Sequence, residues 1–403
     1  MPKRILFVIH RLGAGGAEKS LVSLLNSIPL KDFEVNLMAI DSTGIFRDKL
    51  PSIVKLVNAP RELVCQTTQI KTALFWKHAN IKTTIWKIWT IISCRLRSKK
   101  NKVQKSHDQF YNDIWRSKTP DYPKQYDVAV SYMDCVNYYV IDHVKAKKKI
   151  LWCHNDYNKL EYKPTYDHYY YEKADTICTI SESCKQSLVE NFPDLSNKFE
   201  VIENISAAKT IKIQAEIFDE MQQSNDGFMK DKRCKLVSIG RLTMQKGFDY
   251  AIDAAKILKE KGFNFCWYIL GEGPLHKALQ TQIMANNVSE CVKLIGIRSN
   301  PYPYIKQADI FVMPSRYEGK SIALDEAKIL CKPIVVTNYP SVKDAIKNGS
   351  NGIIVEINAA SIAEGILRLN EMDIKRKLES TLARENNSNE EQVVESFMNL
   401  ISS

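Results

Sequence analysis

Two glutamates, Glu318 and Glu326, lie eight positions apart just after the apolar run 310–313. The run predicts a short buried strand, and the segment after Glu318 predicts a loop that turns into a helix. If residues 318–326 were all helical, the two carboxylates would stand about 12 Å apart along the axis. That is too far for a shared proton, but it suits the two ends of one elongated ligand with a diphosphate at the helix N-terminus between them. The spacing therefore predicts a site for a sugar nucleotide.

Two cations follow the first predicted strand of the same half of the chain. Arg241 and Lys246 are five positions apart in the run 240–247, which begins and ends with glycine. A flexible loop could direct both at a diphosphate, the arginine through its planar fork and the lysine as a point charge. Solvated surface cations are the alternative. The position at the carboxyl end of a strand favours phosphate binding.

Gly271 opens a second turn of this kind, Gly-Glu-Gly-Pro, between the next strand and helix. Proline suits the first turn of a helix, so a structural role is favoured here over direct chemistry. The position at the edge of a cleft would also allow contact with a nucleotide.

A glycine-rich turn follows the first predicted strand of the chain. Glycines at positions 13, 15 and 16 would let backbone N–H groups approach a phosphate. The dinucleotide fingerprint would need glycine at position 18, which is Glu18, so this is not that motif. A tight turn without a ligand is an equal alternative for Gly15 and Gly16.

His154 comes directly after another predicted strand, at the same end as the glycine turn. A histidine there could orient a reacting hydroxyl or phosphate, or donate a proton to it. A capping or packing role is the alternative, and the residue taken alone slightly favours it.

Composition indicates an ordinary soluble globular protein. The chain has 403 residues, 44% hydrophobic and 26% charged, which suggests two to three domains. Ten cysteines are scattered without a Cys-x-x-Cys pair, as expected for reduced thiols in a cytosolic protein. The first apolar run is too short for a signal peptide, and we expect no membrane-spanning helix.

The positive charge is concentrated in one segment. Residues 63–107 contain no Asp or Glu, while the whole chain has a net charge of +11. The ten cations of this segment are Lys71, Lys77, Lys82, Lys87, Arg95, Arg97, Lys99, Lys100, Lys102 and Lys105. Large apolar residues at helical spacing lie among them, with Trp76, Trp86 and Trp89. Residues 71–105 therefore predict a basic amphipathic helix at an anionic bilayer, favoured over nucleic acid binding and over a solvated cationic face.

The motifs together resemble one known family. The Glu-x7-Glu pattern after Pro-Ser-x-x-Glu-Gly, with the Gly-Arg-Leu…Lys-Gly run, is similar to the retaining glycosyltransferases of the GT4 family, also called glycosyltransferase group 1. The resemblance covers most of the chain and is strongest over 236–355, with good agreement at 5–23 and 151–205. It implies an α/β protein with the GT-B fold: two doubly wound Rossmann-like domains that face each other across a cleft.

The resemblance and the alternation of strands and helices predict four parts. They are an N-terminal acceptor-side Rossmann-like domain (1–205) carrying the basic segment, an interdomain linker (206–232), a C-terminal donor-binding Rossmann-like domain (233–385), and a C-terminal helix packing back toward the N-terminal domain (386–403).

The resemblance also implies roles for the residues named above. Arg241 and Lys246 would neutralise the donor diphosphate, Glu326 would bind the ribose hydroxyls, and Glu318 would lie near the donor sugar. The remaining donor contacts would come from Gly271, from the backbone of Gly319, Lys320, Ser321 and Ile322, and from Gly15 and Gly16 of the N-terminal domain. His154 would lie beside the reacting centre. Many relatives have an aromatic residue and proline where this chain has Lys320 and Ser321, which leaves the identity of the donor sugar open.

The implied activity is transfer of a hexose or N-acetylhexosamine, from a UDP-sugar in the first place, to a lipid-linked saccharide. The setting would be synthesis of a bacterial surface polysaccharide at the cytoplasmic face of the membrane. The nucleotide sugar would be a co-substrate, and neither metal, further cofactor nor nucleic acid is expected. A non-catalytic GT-B-like partner subunit is the main alternative. Another GT-B enzyme, such as an epimerase or phosphorylase, is less compatible with the basic segment.

Overall fold

The computed structural model describes residues 2–13, 15–100, 107–219, 224, 226–385 and 388–402. The chain divides into two compact units: Met1–Glu203 with Val393–Ser403, and Asn204–Gln392. Each unit is built on one parallel β-sheet, as expected for strands that alternate with helices along the chain.

The first unit has a sheet in the order β3-β2-β1-β4-β5-β6-β7, in which every neighbouring pair is parallel. Its strands are β1 (Lys3–Arg11), β2 (Phe33–Asp41), β3 (Lys55–Val57), β4 (Gln125–Ser131), β5 (Lys145–Cys153), β6 (Thr176–Thr179) and β7 (Phe199–Val201). Its helices are α1 (Gly16–Ser27), α2 (Arg61–Thr67), α3 (Ala73–His78), α4 (Ile81–Lys100), α5 (His107–Trp115), α6 (Asn137–His143), α7 (Pro164–Lys173) and α8 (Glu182–Asn191).

The second unit repeats this design with the order β10-β9-β8-β11-β12-β13, again parallel at every pair. Its strands are β8 (Cys234–Ile239), β9 (Phe265–Leu270), β10 (Val292–Gly296), β11 (Ile310–Met313), β12 (Ile334–Thr337) and β13 (Ile353–Val355). Its helices are α9 (Ala208–Gln214), α10 (Phe248–Glu260), α11 (His276–Ala285), α12 (Tyr302–Gln307), α13 (Ile322–Ile329), α14 (Val342–Ala345), α15 (Ala359–Leu369) and α16 (Met372–Arg384), and α17 (Glu390–Ser402) follows.

Central strands of both sheets are covered on both faces. Residues 5–9 of β1 and 310–313 of β11 are buried without interruption. Parallel sheets with helices on each side need such continuous apolar runs, which is why these strands are recognisable in the sequence. Both sheets have the strand order of doubly wound Rossmann-like domains, so the predicted fold class is confirmed.

Residues 206–232 differ from the interdomain linker that the sequence predicts. The segment contains α9, and Ile211, Ala215 and Phe228 are buried in the core of the second unit. The segment is polar on average, but these three apolar residues pack into the core and so make the described part of the segment belong to the second unit.

The basic segment forms two described helices, α3 and α4, instead of one helix over 71–105. Thr72 caps α3 by accepting a hydrogen bond from the Phe75 N–H, and Asn80 and Thr83 exchange hydrogen bonds at the start of α4. The predicted cations Lys102 and Lys105 lie outside the described residues. Within the described ranges, the helices lack the combined length and apolar character needed to cross a membrane.

Helix α17 returns the end of the chain to the first unit. Phe397 is fully buried, with its ring 5.9 Å from that of Phe7 and 6.2 Å from that of Trp152. Lys148 Nζ donates a hydrogen bond of 2.7 Å to the Leu400 carbonyl, and Lys3 Nζ donates to the Ile401 carbonyl. Two lysines therefore satisfy carbonyls in the last turn of the helix, where cations also suit the helix dipole.

Candidate functional site

In the second unit the strand order reverses between β8 and β11, which are direct neighbours. Ligands of doubly wound sheets bind at the carboxyl ends of the strands next to such a reversal. The two loops that leave these strands are 240–247 and 314–321. They carry most of the residues that the sequence singles out in this unit.

An ion pair joins these loops. Lys246 Nζ lies 2.6 Å from Glu318 Oε1, and the exposed fractions of the two side chains are 19% and 6%. The Ser315 hydroxyl donates a second hydrogen bond of 2.6 Å to the same oxygen. The Ser341 hydroxyl donates to the Glu318 backbone carbonyl at 2.8 Å. Glu318 is thus held at both its side chain and its backbone, which fixes its position in the turn.

Gly247 allows the two loops to meet. Its φ of 63° is left-handed, and a Cβ at this position would lie 2.0 Å from the Pro314 carbonyl oxygen. Backbone and side chain of Gln245 continue the contact, since its carbonyl accepts from the Arg316 N–H at 2.7 Å and its Nε2 donates to the Tyr317 carbonyl at 3.1 Å. A residue with a side chain at 247 would separate the loop of Lys246 from that of Glu318.

Arg316 clamps the same junction from the outside. Its guanidinium donates two hydrogen bonds to the Asp249 carboxylate, at 2.8 and 2.5 Å, and one of 2.7 Å to the Met244 carbonyl. The guanidinium also lies 4.1 Å from the centre of the Tyr250 ring. These contacts tie the end of β11 to the first turn of α10.

Gly271 has a structural part in this site. With a φ of 142°, a Cβ here would lie 1.9 Å from the Gly240 carbonyl oxygen. The turns after β8 and β9 therefore touch through their backbones, and Leu242 N donates to the Glu272 carbonyl at 3.0 Å. The requirement for glycine at 271 is explained by this close approach alone.

The two glutamates do not lie on one continuous helix. Helix α13 begins at Ile322, so Glu318 stands in the loop before it and Glu326 is a buried residue within it. The condition for a separation of about 12 Å, a helix over all of 318–326, is therefore not met, and the segment is the loop turning into a helix that the sequence predicts. The loop in between brings the backbone of Gly319 and Ser321 to the start of the helix, where the partial positive charge of the helix dipole favours an anion.

Lys320 lies at the same helix start. Its Nζ is 4.0 Å from Asp325 Oδ2, and 15% of its side chain is exposed. Asp325 in turn accepts a hydrogen bond of 3.3 Å from the Ser206 hydroxyl. The positive charge of Lys320 is thus directed partly at an acid in the first turn of α13.

Arg241 has an exposed side chain on the loop that also carries Lys246. Its carbonyl accepts a hydrogen bond of 2.7 Å from the Thr243 N–H, which tightens the loop. The described hydrogen bonds to the Glu318 carboxylate come from Lys246 and Ser315. The structure therefore brings Lys246 and Glu318 together and leaves Arg241 at the surface of the same turn.

In the first unit, the side chain of Glu18 lies against the backbone of the glycine turn. Gly15 is the N-cap of α1, and a Cβ there would lie 2.1 Å from Glu18 Oε2. Glu18 is buried, and its Oε1 accepts a hydrogen bond of 3.0 Å from Arg11 Nε. The carboxylate thus lies beside Gly15, at the start of the helix that Gly16 opens. Glu18 lies three positions after the N-cap, but the described contacts of its carboxylate include no hydrogen bond that caps α1.

His154 lies at the end of β5 between two aromatic rings. Its ring is 4.9 Å from that of Tyr132 and 5.9 Å from that of Trp152. Burial lowers the pKa of His154 to about 3, although a hydrogen bond with the Tyr132 backbone opposes this shift. Nε2 is buried and has no hydrogen-bond partner among the described residues. With so low a pKa the imidazole is neutral near pH 7.

Asp134 is a candidate that the motifs did not identify. It follows β4, the neighbour of β1 where the strand order of the first sheet reverses, and only 9% of the residue is exposed. Burial raises the pKa of Asp134 to about 7, against the effect of a hydrogen bond with the Cys153 thiol. Its Oδ1 has no hydrogen-bond partner in the described part of the chain. An acid just past a strand end at this reversal was the available signal.

The comparisons with known proteins agree with this architecture. A family model described as glycosyl transferases group 1 matches residues 219–386, which include both loops around Lys246 and Glu318. A solved structure of Anabaena Alr3699/HepE in complex with UDP and glucose has a TM-score of 0.69 at 13% identity, with 99% of each chain covered. That structural likeness shows the fold.

Two curated relatives give the level of sequence similarity. The N-acetylgalactosamine-N,N'-diacetylbacillosaminyl-diphospho-undecaprenol 4-alpha-N-acetylgalactosaminyltransferase of Campylobacter jejuni is 31% identical over 209 residues, 51% of this chain and 54% of that protein. The capsular polysaccharide biosynthesis glycosyltransferase CapM of Staphylococcus aureus is 27% identical over 205 residues, 49% of this chain and 52% of that protein. The chain thus spans about half the length of these curated relatives. Together these findings support the resemblance seen in the motifs: residues 219–386 match the model of the glycosyl transferases group 1, and the chain has the GT-B fold.

Proposed function

We propose that this protein is a retaining glycosyltransferase that moves a hexose or N-acetylhexosamine from a UDP-sugar to a lipid-linked saccharide. The observation that carries the proposal is the contact of Lys246 with Glu318 at the strand reversal of the group 1 domain. A nucleotide sugar would require a cation for its diphosphate beside a group that faces its sugar, and Lys246 and Glu318 would supply these two groups.

The donor diphosphate would bind at this junction. Lys246 would exchange its contact with Glu318 for a phosphate oxygen, Arg241 would approach from the same loop, and the start of α13 would supply backbone N–H groups. Glu326 would bind the ribose hydroxyls, and Glu318 would then face the sugar. The Anabaena neighbour, whose complex contains UDP and glucose, supports a UDP-sugar as the donor.

The chemistry would follow from charge stabilisation. As the bond between sugar and phosphate lengthens, Lys246, Arg241 and the dipole of α13 would stabilise the departing diphosphate without a metal ion. The acceptor hydroxyl would attack from the face that the diphosphate leaves, and a phosphate oxygen would take its proton. His154, with a neutral ring, would orient a hydroxyl at the reacting centre.

The acceptor would be a saccharide linked to a lipid, in the synthesis of a surface polysaccharide. The names of the two curated relatives, one with a diphospho-undecaprenol acceptor and one in capsular polysaccharide biosynthesis, support this class. Such an acceptor would be reached at the inner face of the cell membrane, with the basic segment 71–105 at the anionic surface.

The direct test incubates the purified protein with labelled UDP- and GDP-sugars and a membrane extract, and follows transfer of label into lipid. We expect transfer from one UDP-sugar, retention of the anomeric configuration, and a loss of about 100-fold or more in turnover for Lys246→Ala and Arg241→Ala. Lys256→Ala is the matched control, since Lys256 is an exposed lysine on α10 that pairs with Glu260.

Three results would contradict the proposal at different points. Near-normal turnover in Lys246→Ala and Arg241→Ala would contradict their roles in binding the diphosphate. A product with inverted anomeric configuration would exclude the retaining mechanism. Binding of nucleotide sugars without transfer to any lipid acceptor would favour a non-catalytic partner subunit.

A further inference from the structure

Helix α4 presents its polar side to the protein. Thr83, Lys87 and Thr90 are between 0 and 3% exposed, on one face of the helix. Lys87 Nζ donates a hydrogen bond of 2.8 Å to the Gln66 carbonyl, and Trp115 Nε1 donates one of 3.0 Å to the Thr90 hydroxyl. Trp86 and Cys94 pack against the protein on the same side, so the inward side is mixed in polarity. Helices of soluble domains normally turn their largest apolar stripe to the core instead.

The opposite side of α4 is apolar and faces outward. Its large residues have exposed fractions between 45 and 83%: Ile81, Ile85, Ile88, Trp89, Ile92 and Leu96. At 3.6 residues per turn these six positions fall within an arc of about 100° and extend along about 22 Å of the helix. We call them the outer face of α4. Such a continuous apolar surface is rare on a soluble protein and marks an interaction site.

Specific contacts hold the helix in this orientation. The Lys87 ammonium lies 4.4 Å from the centre of the Tyr111 ring as well as bonding to Gln66, and burial lowers the pKa of Lys87 to about 8. If α4 rotated to bury its outer face, Lys87 would lose its hydrogen bond to Gln66 and its contact with Tyr111. The hydrogen bond between Trp115 and Thr90 would also break. The outer face therefore belongs to the folded state and needs an apolar partner beyond the unit.

Charge identifies that partner. Lys82 and Arg95 are exposed at the margins of the outer face, and residues 63–107 contain no acid. A second copy of the chain on this face would oppose one cationic segment with another, which charge repulsion disfavours. An anionic bilayer offers acyl chains to the apolar side chains and negatively charged headgroups to the cations.

We propose that α4 lies parallel to an anionic bilayer with its outer face at the boundary between headgroups and acyl chains. Ile85, Ile88 and Ile92 enter the lipid, Trp89 lies at the interface, and Lys82 and Arg95 contact lipid phosphates. The inference gives the membrane contact of the proposed function a defined face. It concerns binding to lipid alone, so its test needs no transferase activity.

The first experiment measures cosedimentation with phosphatidylcholine vesicles and with vesicles that also contain phosphatidylglycerol. We expect the wild type to bind the anionic vesicles, and Ile85→Gln with Ile92→Gln to lower the partition coefficient by about tenfold or more. The matched control is Met284→Gln with Met372→Gln, because these apolar residues of the second unit are 56 and 61% exposed. Circular dichroism and the melting temperature verify that each variant is folded.

The second experiment separates charge from insertion. Lys82→Gln with Arg95→Gln should weaken binding by about tenfold at low salt, and much less at about 0.5 M salt, where charges are screened. Trp89 fluorescence should shift to shorter wavelength on binding, and Trp89→Phe should reduce that shift.

Three outcomes would overturn the inference. The first is a wild type that does not sediment with anionic vesicles, and the second is an Ile85→Gln with Ile92→Gln variant that binds as well as the wild type. In analytical ultracentrifugation without lipid, a wild-type dimer that the same double variant abolishes would identify a second copy of the chain as the occupant.

Discussion

Lys246 Nζ and Glu318 Oε1 are 2.6 Å apart although 72 positions separate the residues in the chain. The contact exists because two loops leave neighbouring strands at the same edge of the sheet and Gly247 lets their backbones meet. In the proposed reaction the same ammonium serves two anions in turn, the Glu318 carboxylate without donor and a phosphate with it. Binding of the donor diphosphate would therefore release the Glu318 carboxylate from its ion pair with Lys246.

Replacing Lys246 should weaken nucleotide binding, whereas replacing Glu318 should not. Lys246→Ala removes a charged donor, so we expect UDP to bind about 10- to 100-fold more weakly. Glu318→Gln removes the competing anion, so UDP affinity should stay the same or rise while turnover falls. Isothermal titration calorimetry measures the affinities, with Lys256→Ala as the control. A weaker UDP complex for Glu318→Gln would refute the competition.

Gly247 and Gly262 provide a matched test of the loop junction. Both have left-handed backbones, with φ of 63° and 72°, but a Cβ at 247 would strike the Pro314 carbonyl while nothing lies within 4 Å at 262. Both alanine variants incur backbone strain, of about 1 to 3 kcal/mol. We expect Gly247→Ala to lower the free energy of unfolding further, and to impair UDP binding, while Gly262→Ala binds normally. Equal stability and affinity in the two variants would show that the close approach is unimportant.

Much of the fold could be predicted because both sheets are buried on both faces. Runs such as 5–9 and 310–313 are continuous and apolar, which identifies central parallel strands directly. Strand β3 has no such signal, since it is short and Lys55 and Leu56 are exposed at the sheet edge. The apolar anchors of residues 206–232 were likewise too few to reveal that the segment belongs to the second unit.

The site could be predicted as a set of residues but not as a set of contacts. The motifs point to Lys246 and Glu318 separately, whereas their ion pair depends on the turn at Gly247 and on Ser315. The apolar spacing of α4 predicts a helix with two faces, yet tertiary contacts such as the bond of Lys87 to Gln66 and that of Trp115 to Thr90 decide which face is inside. Such choices depend on tertiary neighbours that a local pattern does not contain.

Asp134 should make stability depend on pH. Because burial raises the pKa of Asp134 from 3.8 to about 7, the folded state keeps a proton between these values that the unfolded state releases. Its contribution to stability is therefore full below about pH 4 and is lost as the pH rises through 7. Asp134→Asn cannot ionise, so its free energy of unfolding should rise relative to the wild type between pH 4 and pH 8.

Chemical denaturation at a series of pH values measures this difference for Asp134. The control is Asp48→Asn, since Asp48 is an exposed carboxylate of the same unit. A constant offset between Asp134→Asn and the wild type across the range would contradict the prediction.

His154 should act in the opposite direction. Burial lowers the pKa of His154 from 6.5 to about 3, so the unfolded state takes up a proton in this interval while the folded state does not. Stability from the neutral ring is thus present above about pH 6.5 and is lost as the pH falls toward 3. His154→Gln should reduce the acid sensitivity of unfolding. NMR titration of His154 should find a neutral ring at pH 5, and a titration midpoint near 6.5 would disprove this prediction.

The docking of Phe397 against Phe7 and Trp152 has a consequence for the order of folding in the cell. The core of the first unit lacks this ring until residues 393–403 have been synthesised, whereas every residue of the second unit has been made before them. Domains usually complete themselves from the N-terminus during translation. In this chain residues 1–203 of the first unit are made first, yet the core of that unit cannot be completed until the residues that follow the second unit have been synthesised.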